Sequence, residues 1–239
     1  MSESEQRRRG RATLSRADAE RIVASAGWLP ATPAQFRAEV LRHARLQHVR
    51  PGDVIFRFGD APGGIYGLVA GTLRINTAPP DAVPRLIHLG MPGAWTGEGC
   101  FLTGEPRRAE LQALGDAWLM HLPLQAMEQI VTADPGAARC FGGIAVLTVE
   151  VLIRIVHDLQ RRDAGRRIAS VLQRAAWVGD VPIPLSQTEI GIMANASRQQ
   201  VSAAMKRFAE AGWIETTYRS IIVTRPQALR DYARHDEDD

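Results

Sequence analysis

Five side chains near the C-terminus could read a nucleic acid. Arg198, Gln199, Ser202, Lys206 and Arg207 recur at spacings that, on a helix, leave them largely on one side. A guanidinium fork can donate two parallel hydrogen bonds to the O6 and N7 of guanine. A glutamine amide matches adenine in the same way. Ser186, Thr188, Ser197, Ser202 and Lys206 are hydroxyls and an ammonium suited to phosphate oxygens, contacts that fix register without carrying sequence information.

Such groups need a scaffold, and Leu185–Glu215 supplies one. Ser186 is placed to cap a helix over about Gln187–Met193, and Ser197 to cap a second over about Arg198–Ala211, ended by Gly212. Between them stands Ala194-Asn195-Ala196, and Asn tolerates the left-handed backbone that a tight turn requires. Ile190, Met193, Val201, Met205 and Phe208 form an apolar stripe at helical spacing, facing a core. A hairpin should follow, from Trp213–Tyr218 through Arg219-Ser220 to Ile221–Thr224. Helix-turn-helix plus hairpin is a winged module whose second helix enters a major groove. A plain helical hairpin without a DNA role is the alternative for the two helices alone.

Bulk composition is compatible with this reading and does not prove it. The 239 residues carry a formal charge of +3, are 45% apolar and contain 29 basic residues, of which Lys206 is the lone lysine. Arg161, Arg162, Arg166, Arg167 and Arg174 cluster just before the winged module, where they create a local attractive potential. Residues 1–14 read as a disordered basic tail with Arg7, Arg8, Arg9 and Arg11, a phosphate-contacting arm being the alternative; His235–Asp239 is acidic. Neither a secretory leader nor a membrane-spanning run is expected, which points to the cytoplasm and no membrane partner. Cys100 and Cys140 are the two cysteines, too few for a disulfide framework. The six histidines are scattered and no HExxH, GxSxG or P-loop occurs, so an enzyme is not expected and no catalytic or metal-ligating set is assigned.

Upstream, Ser15–Ala26 reads as a helix, and Thr32 should cap another with Pro33 in its first turn, ending near Leu46. From Val49 to about Leu122, short strands separated by Gly and Pro predict a small antiparallel barrel or roll. A short helix over Pro123–Val131 follows. Then Ala138–Leu159 is helical and apolar on two stripes, Ala145, Val149, Leu152, Val156 and Leu159 on one and Ile144, Leu147, Val151 and Ile155 on the next. Two stripes need two partners, the roll and the same helix of a second subunit; a core helix within one domain is the alternative. The expected division is 15–135 for the N-terminal helices and roll, 136–163 for the long helix and hinge, and 164–239 for the winged module. The fold class is α+β.

This order of parts resembles the Crp/Fnr family of bacterial transcription regulators over roughly Leu46–Tyr232. Pro51-Gly52-Asp53-Val54-Ile55-Phe56, Gly59-Asp60 and Val69-Ala70-Gly71-Thr72-Leu73 look like the family's roll. Pro92–Glu98 looks like its nucleotide-pocket loop, and Leu185–Gly191 with Ser197–Val201 like its helix-turn-helix. The resemblance implies a homodimer on an inverted-repeat operator, with RNA polymerase as a further partner for an activator. It also implies a cyclic-nucleotide-binding-like roll, with Gly97 and Glu98 for the ribose and Arg107 for the phosphate.

The departures are specific. Arg108 stands where a Ser/Thr hydroxyl is expected. Leu152 and Ile153 lie near where cAMP-binding members present a hydroxyl pair, and the loop from Glu98 to Arg107 is one residue short. cAMP or cGMP, a different small anion held by Arg107 and Arg108, and no effector at all stay open. An iron–sulfur cluster of four Cys is not possible within one chain; haem on His88 or Cys100, and Cys100 as a redox thiol, are minor alternatives. Gln199 and Ala203 replace the family's base-reading Glu and second Arg, so the half-site should differ from TGTGA. The alternative function is a ligand-sensing or protein-interaction module without specific DNA readout.

Overall fold

The computed structural model describes residues 14–79, 81–176, 182–217 and 220–234. Residues 1–13 of the basic tail, Arg219 of the expected Arg219-Ser220 turn and the acidic end lie outside the described residues.

The chain opens with α1 (Arg16–Ser25), capped by Ser15, whose side chain accepts from the Asp18 N–H. A 3₁₀ turn (Leu29–Ala31) leads to α2 (Ala34–His43). Here the expected Thr32 cap is not formed. The Thr32 hydroxyl donates back to the Leu29 carbonyl at 2.7 Å, closing the 3₁₀ turn instead, and Pro33 occupies the cap position. The helix also stops at His43 rather than near Leu46, because Arg45–Val49 pairs as a strand, β1.

Eight strands make the roll: β1, β2 (Val54–Phe56), β3 (Ile65–Ala70), β4 (Leu73–Thr77), β5 (Arg85–Gly90), β6 (Trp95–Thr96), β7 (Ala109–Ala113) and β8 (Ala117–Leu122). They form two four-stranded sheets in the orders β1-β8-β3-β6 and β2-β7-β4-β5, and every pairing is antiparallel. Phe56, Leu68, Leu73, Leu111 and Leu119 fill the space between the sheets. A short helix, α3 (Glu98–Thr103), follows β6. Gly64 lies so close to β8 that a Cβ there would sit 2.0 Å from the Leu122 carbonyl oxygen.

After β8 come α4 (Leu124–Ala133) and the 23-residue α5 (Ala137–Leu159). The start of α5 is anchored by aromatic packing. Phe141 stacks on Trp28 at 5.9 Å and meets Phe36 and Phe101 edge-on, while the Trp28 indole N–H donates to the Cys140 carbonyl. Beyond Ile144 the helix leaves the roll. Val149, Leu152, Val156 and Leu159 of one stripe are exposed, and so is Leu147 of the other. Most of α5 beyond Ile144 is thus uncovered within the described residues, Ile155 being buried. By length and composition α5 could also cross a membrane, contrary to the sequence expectation.

The C-terminal part comprises α6 (Ala164–Ala175), α7 (Gln187–Ala194), α8 (Arg198–Glu210), β9 (Ile214–Thr216), β10 (Ile221–Val223) and α9 (Pro226–Arg234). Its core, built on Ile168, Leu172, Ile190, Val201, Phe208 and Leu229, also takes in Leu86 and Leu89 from β5 of the roll. Arg74 of β4 and Glu189 of α7 form an ion pair across the same contact.

Candidate nucleic-acid interface and effector pocket

The helix-turn-helix is built by reciprocal caps. At each helix start a serine hydroxyl accepts the N–H three residues on, while the side chain at that third position accepts the serine's own N–H. Ser186 pairs in this way with Glu189, and Ser197 with Gln200. Asn195 takes φ +46° between the helices, the one non-glycine residue at positive φ among the described residues. Ile190, Met193, Val201, Met205 and Phe208 are buried, which turns Arg198, Gln199, Ser202, Ala203, Lys206 and Arg207 outward. Four of the five predicted reading groups are thus exposed with few ties to other side chains. Arg207 is the exception, because its guanidinium donates to the Tyr232 hydroxyl and lies 4.7 Å over that ring.

The two serines differ in what they can offer a phosphate. Ser197 accepts from the Gln200 N–H, which leaves its hydroxyl proton available. Ser186 donates its proton to Glu189 Oε2 at 2.7 Å. Thr188 is exposed on the first turn of α7, where the helix dipole favours an anion. Ile214 and Val223 of the β9–β10 hairpin pack into the same core as α8.

In the roll, Gly97 takes φ +105° and starts α3, so that Glu98 stands in its first turn. Glu98 and Arg107 are both buried, at 7% and 5% exposure. Burial pushes the Glu98 carboxyl above the ordinary carboxylate range, and the N–H groups of Glu98 and Gly97 and the charge of Arg107 pull it partly back. Arg107 donates to the Gly97 carbonyl at 2.8 Å and to the Gly64 carbonyl at 2.7 Å, and lies 4.3 Å over the Phe56 ring. Glycines make room for it: a Cβ at Gly63 or Gly97 would come within 2.5 or 2.6 Å of its guanidinium.

Arg108 does not join this group. It is exposed in the bend just before β7, and its carbonyl accepts from the Thr77 hydroxyl at 2.7 Å. Leu152 and Ile153 are exposed apolar residues on α5. Gly97, Glu98 and Arg107 thus come together as one group, with both charged side chains buried. Arg108, Leu152 and Ile153, which stand where the resemblance implies hydroxyls, are exposed.

The remaining alternatives can be placed as well. Cys100 is buried, its thiol bonded to the Gly63 and Gly97 carbonyls, as a small packed residue would be. His88 lies on β5, close to Arg174 of α6, and burial followed by the Arg174 charge lowers its pKa to about 4. Among the described residues no group of three or more His, Cys, Asp and Glu could hold a metal ion.

The state of His88 has a consequence for stability. The unfolded chain protonates this histidine below about 6.5, whereas the folded chain keeps it neutral to about pH 4. Between those values the unfolded state binds more protons, so stability falls as the pH falls, by at most about 3 kcal/mol. Urea midpoints of wild type and His88→Gln, compared from pH 7 to pH 5, should converge on acidification as the wild type loses more. Parallel curves would show that His88 is not held neutral.

A model of the cyclic nucleotide-binding domain matches residues 46–134, and a model of the Crp-like helix-turn-helix domain matches residues 166–232. A CRP-like cAMP-activated global transcriptional regulator of Mycobacterium tuberculosis is 22% identical over 223 residues, 90% of this chain and 100% of that protein. Among solved structures, a protein of Ruegeria pomeroyi aligns with a TM-score of 0.69 at 17% identity, over 93% of this chain and 100% of its own. FixK2 of Bradyrhizobium japonicum aligns with a TM-score of 0.66 at 19% identity, over 81% and 98%. The two matches cover the roll and the helix-turn-helix in that order, and the chain belongs to the Crp/Fnr family of transcriptional regulators.

Proposed function

We propose that this DNA-binding regulator acts as a homodimer, joined along the exposed apolar face of α5, on an inverted-repeat operator. The outward face of α8 carries the reading. Arg198 and Gln199, on its first turn, address base edges, while Ser197, Ser202, Lys206 and Thr188 hold phosphates, with Ser186 in a capping role. Two recognition helices related by a two-fold axis reach successive major grooves about 34 Å apart. Its place of action is the cytoplasm, and it performs no catalysis.

Selection from a random duplex library tests this reading. Enrichment of an inverted repeat whose half-sites differ from TGTGA supports it. Recovery of unrelated sequences, bound with the same salt dependence as bulk DNA, would leave only nonspecific attraction.

For the roll we propose a pocket that has lost cyclic-nucleotide recognition, with Arg107 committed to the Gly64 and Gly97 carbonyls as a structural pin. Calorimetric titration of the dimer with cAMP and with cGMP should give no saturable heat. A Kd below about 10 μM, about −7 kcal/mol, for either would restore Glu98 and Arg107 as effector ligands.

A further inference from the structure

The hinge between α5 and α6 is tied to the recognition helix at two points. Arg167, in the first turn of α6, donates four hydrogen bonds to carbonyl oxygens. Nη1 reaches Arg161 at 2.6 Å and Arg162 at 2.9 Å, just beyond the end of α5. Nε reaches Ala194 at 2.8 Å and Nη2 reaches Asn195 at 3.0 Å, at the end of α7 and in the left-handed turn before α8. One guanidinium thus holds hinge backbone on one side and the turn that aims α8 on the other. Such charge-assisted bonds are about twice as strong as neutral ones.

The second tie meets α8 further along. Arg207 donates to the Tyr232 hydroxyl, and that hydroxyl donates to Asp163 Oδ2 at 3.2 Å. Asp163 is the cap of α6, its other oxygen accepting the Gly165 N–H at 2.6 Å. Gly165 is required for this approach, since a Cβ there would sit 2.3 Å from Arg207 Nη2 and 2.9 Å from the Tyr232 oxygen.

From Asn195 to Arg207 the chain runs most of the length of α8, roughly 15 Å at 1.5 Å per residue. A helix held at two points this far apart cannot pivot freely about the hinge. We infer that Arg167 and Tyr232 are positioning residues that set which half-site separation the dimer accepts, leaving base identity to Arg198 and Gln199. The inference rests on the homodimer and inverted-repeat reading above.

The test uses the full-length protein and the inverted repeat selected by the wild type, with one or two base pairs inserted between or deleted from the half-sites. Each base pair shifts one groove by about 3.4 Å and rotates it by about 35° against the other. The wild type should lose tenfold or more in affinity per inserted pair, about 1.4 kcal/mol. Arg167→Lys and Tyr232→Phe should flatten that preference severalfold. Their base preferences within a half-site and the slope of log K against log salt should stay at wild-type values. A loss of fold alone would weaken every operator equally, which the spacing series distinguishes. Tyr232→Phe removes a single oxygen and decides the matter if Arg167→Lys fails to fold.

Retention of the wild-type spacing preference by Tyr232→Phe overturns the inference. So does a wild type that binds the inverted repeat but tolerates every spacing. A wild type that selects no inverted repeat fails the functional reading itself.

Discussion

Arg198→Ala should cost the dimer about 1–3 kcal/mol per half-site and relax the preference at one base position in each. Two distant copies add to about 2–6 kcal/mol, roughly 30-fold to 10⁴-fold in operator affinity. The side chain is exposed at the first position of α8 and takes part in neither capping box, so the fold has no reason to suffer. Alanine is a better helix former, and removing a cation from a helix N-terminus is mildly favourable. Melting temperature should hold or rise slightly while specific binding collapses. Binding to random DNA, carried by Lys206 and the other phosphate contacts, should weaken far less. Site selection with the variant checks the assignment, and base preferences identical to those of the wild type would end it.

Val156→Asp should give a folded monomer. Val156 is 55% exposed in the isolated chain and belongs to none of the three apolar cores. In a symmetric dimer the substitution sets two carboxylates near the two-fold axis in an apolar seam, where desolvation is not repaid by any partner. Removing one recognition helix from the complex forfeits the effective concentration that links the half-sites, about 10²–10⁴ in affinity. Sedimentation at micromolar concentration, read with operator binding, measures both effects. A variant that stays dimeric would mean that another surface joins the subunits.

Where the local code is dense, the fold could be read ahead of the structure. Ser186, Asn195 and Ser197 mark two helix starts and a turn within a dozen residues, and the helices begin where the two serines place them. Elements defined by distant partners were missed. β1 reads as a continuation of α2 because the alternation in Arg45-Leu46-Gln47 breaks at His48 and is too short to set a period; its pairing with β8 makes it a strand. The two-residue β6 exists through Tyr66 and Gly67 of β3 and is too short for any periodic signal. The pocket was half legible. Glu98 and Arg107 are singled out by motif order, but Arg108 lies in the bend before β7, where no periodicity tells which way it turns, and nothing local marks the Gly64 carbonyl as a partner of Arg107. The bonds of Arg167 to Ala194 and Asn195, and those of Tyr232, were invisible for the same reason, since each spans more than 20 residues of chain.

The contact between β5 and the helix-turn-helix bears on how such proteins can be recombined. Leu86 and Leu89 sit in the apolar interior of the C-terminal module, and Arg74 neutralises Glu189, a residue that also completes the cap of α7. A fragment cut at the hinge would carry an open greasy face and an unbalanced carboxylate at the start of its helix-turn-helix. Modules exchanged between relatives would have to carry matching residues on two strands more than 70 positions upstream of the junction. Inheritance of new DNA specificity by domain shuffling is thereby constrained, and change through substitutions on the outer face of α8 is the easier path.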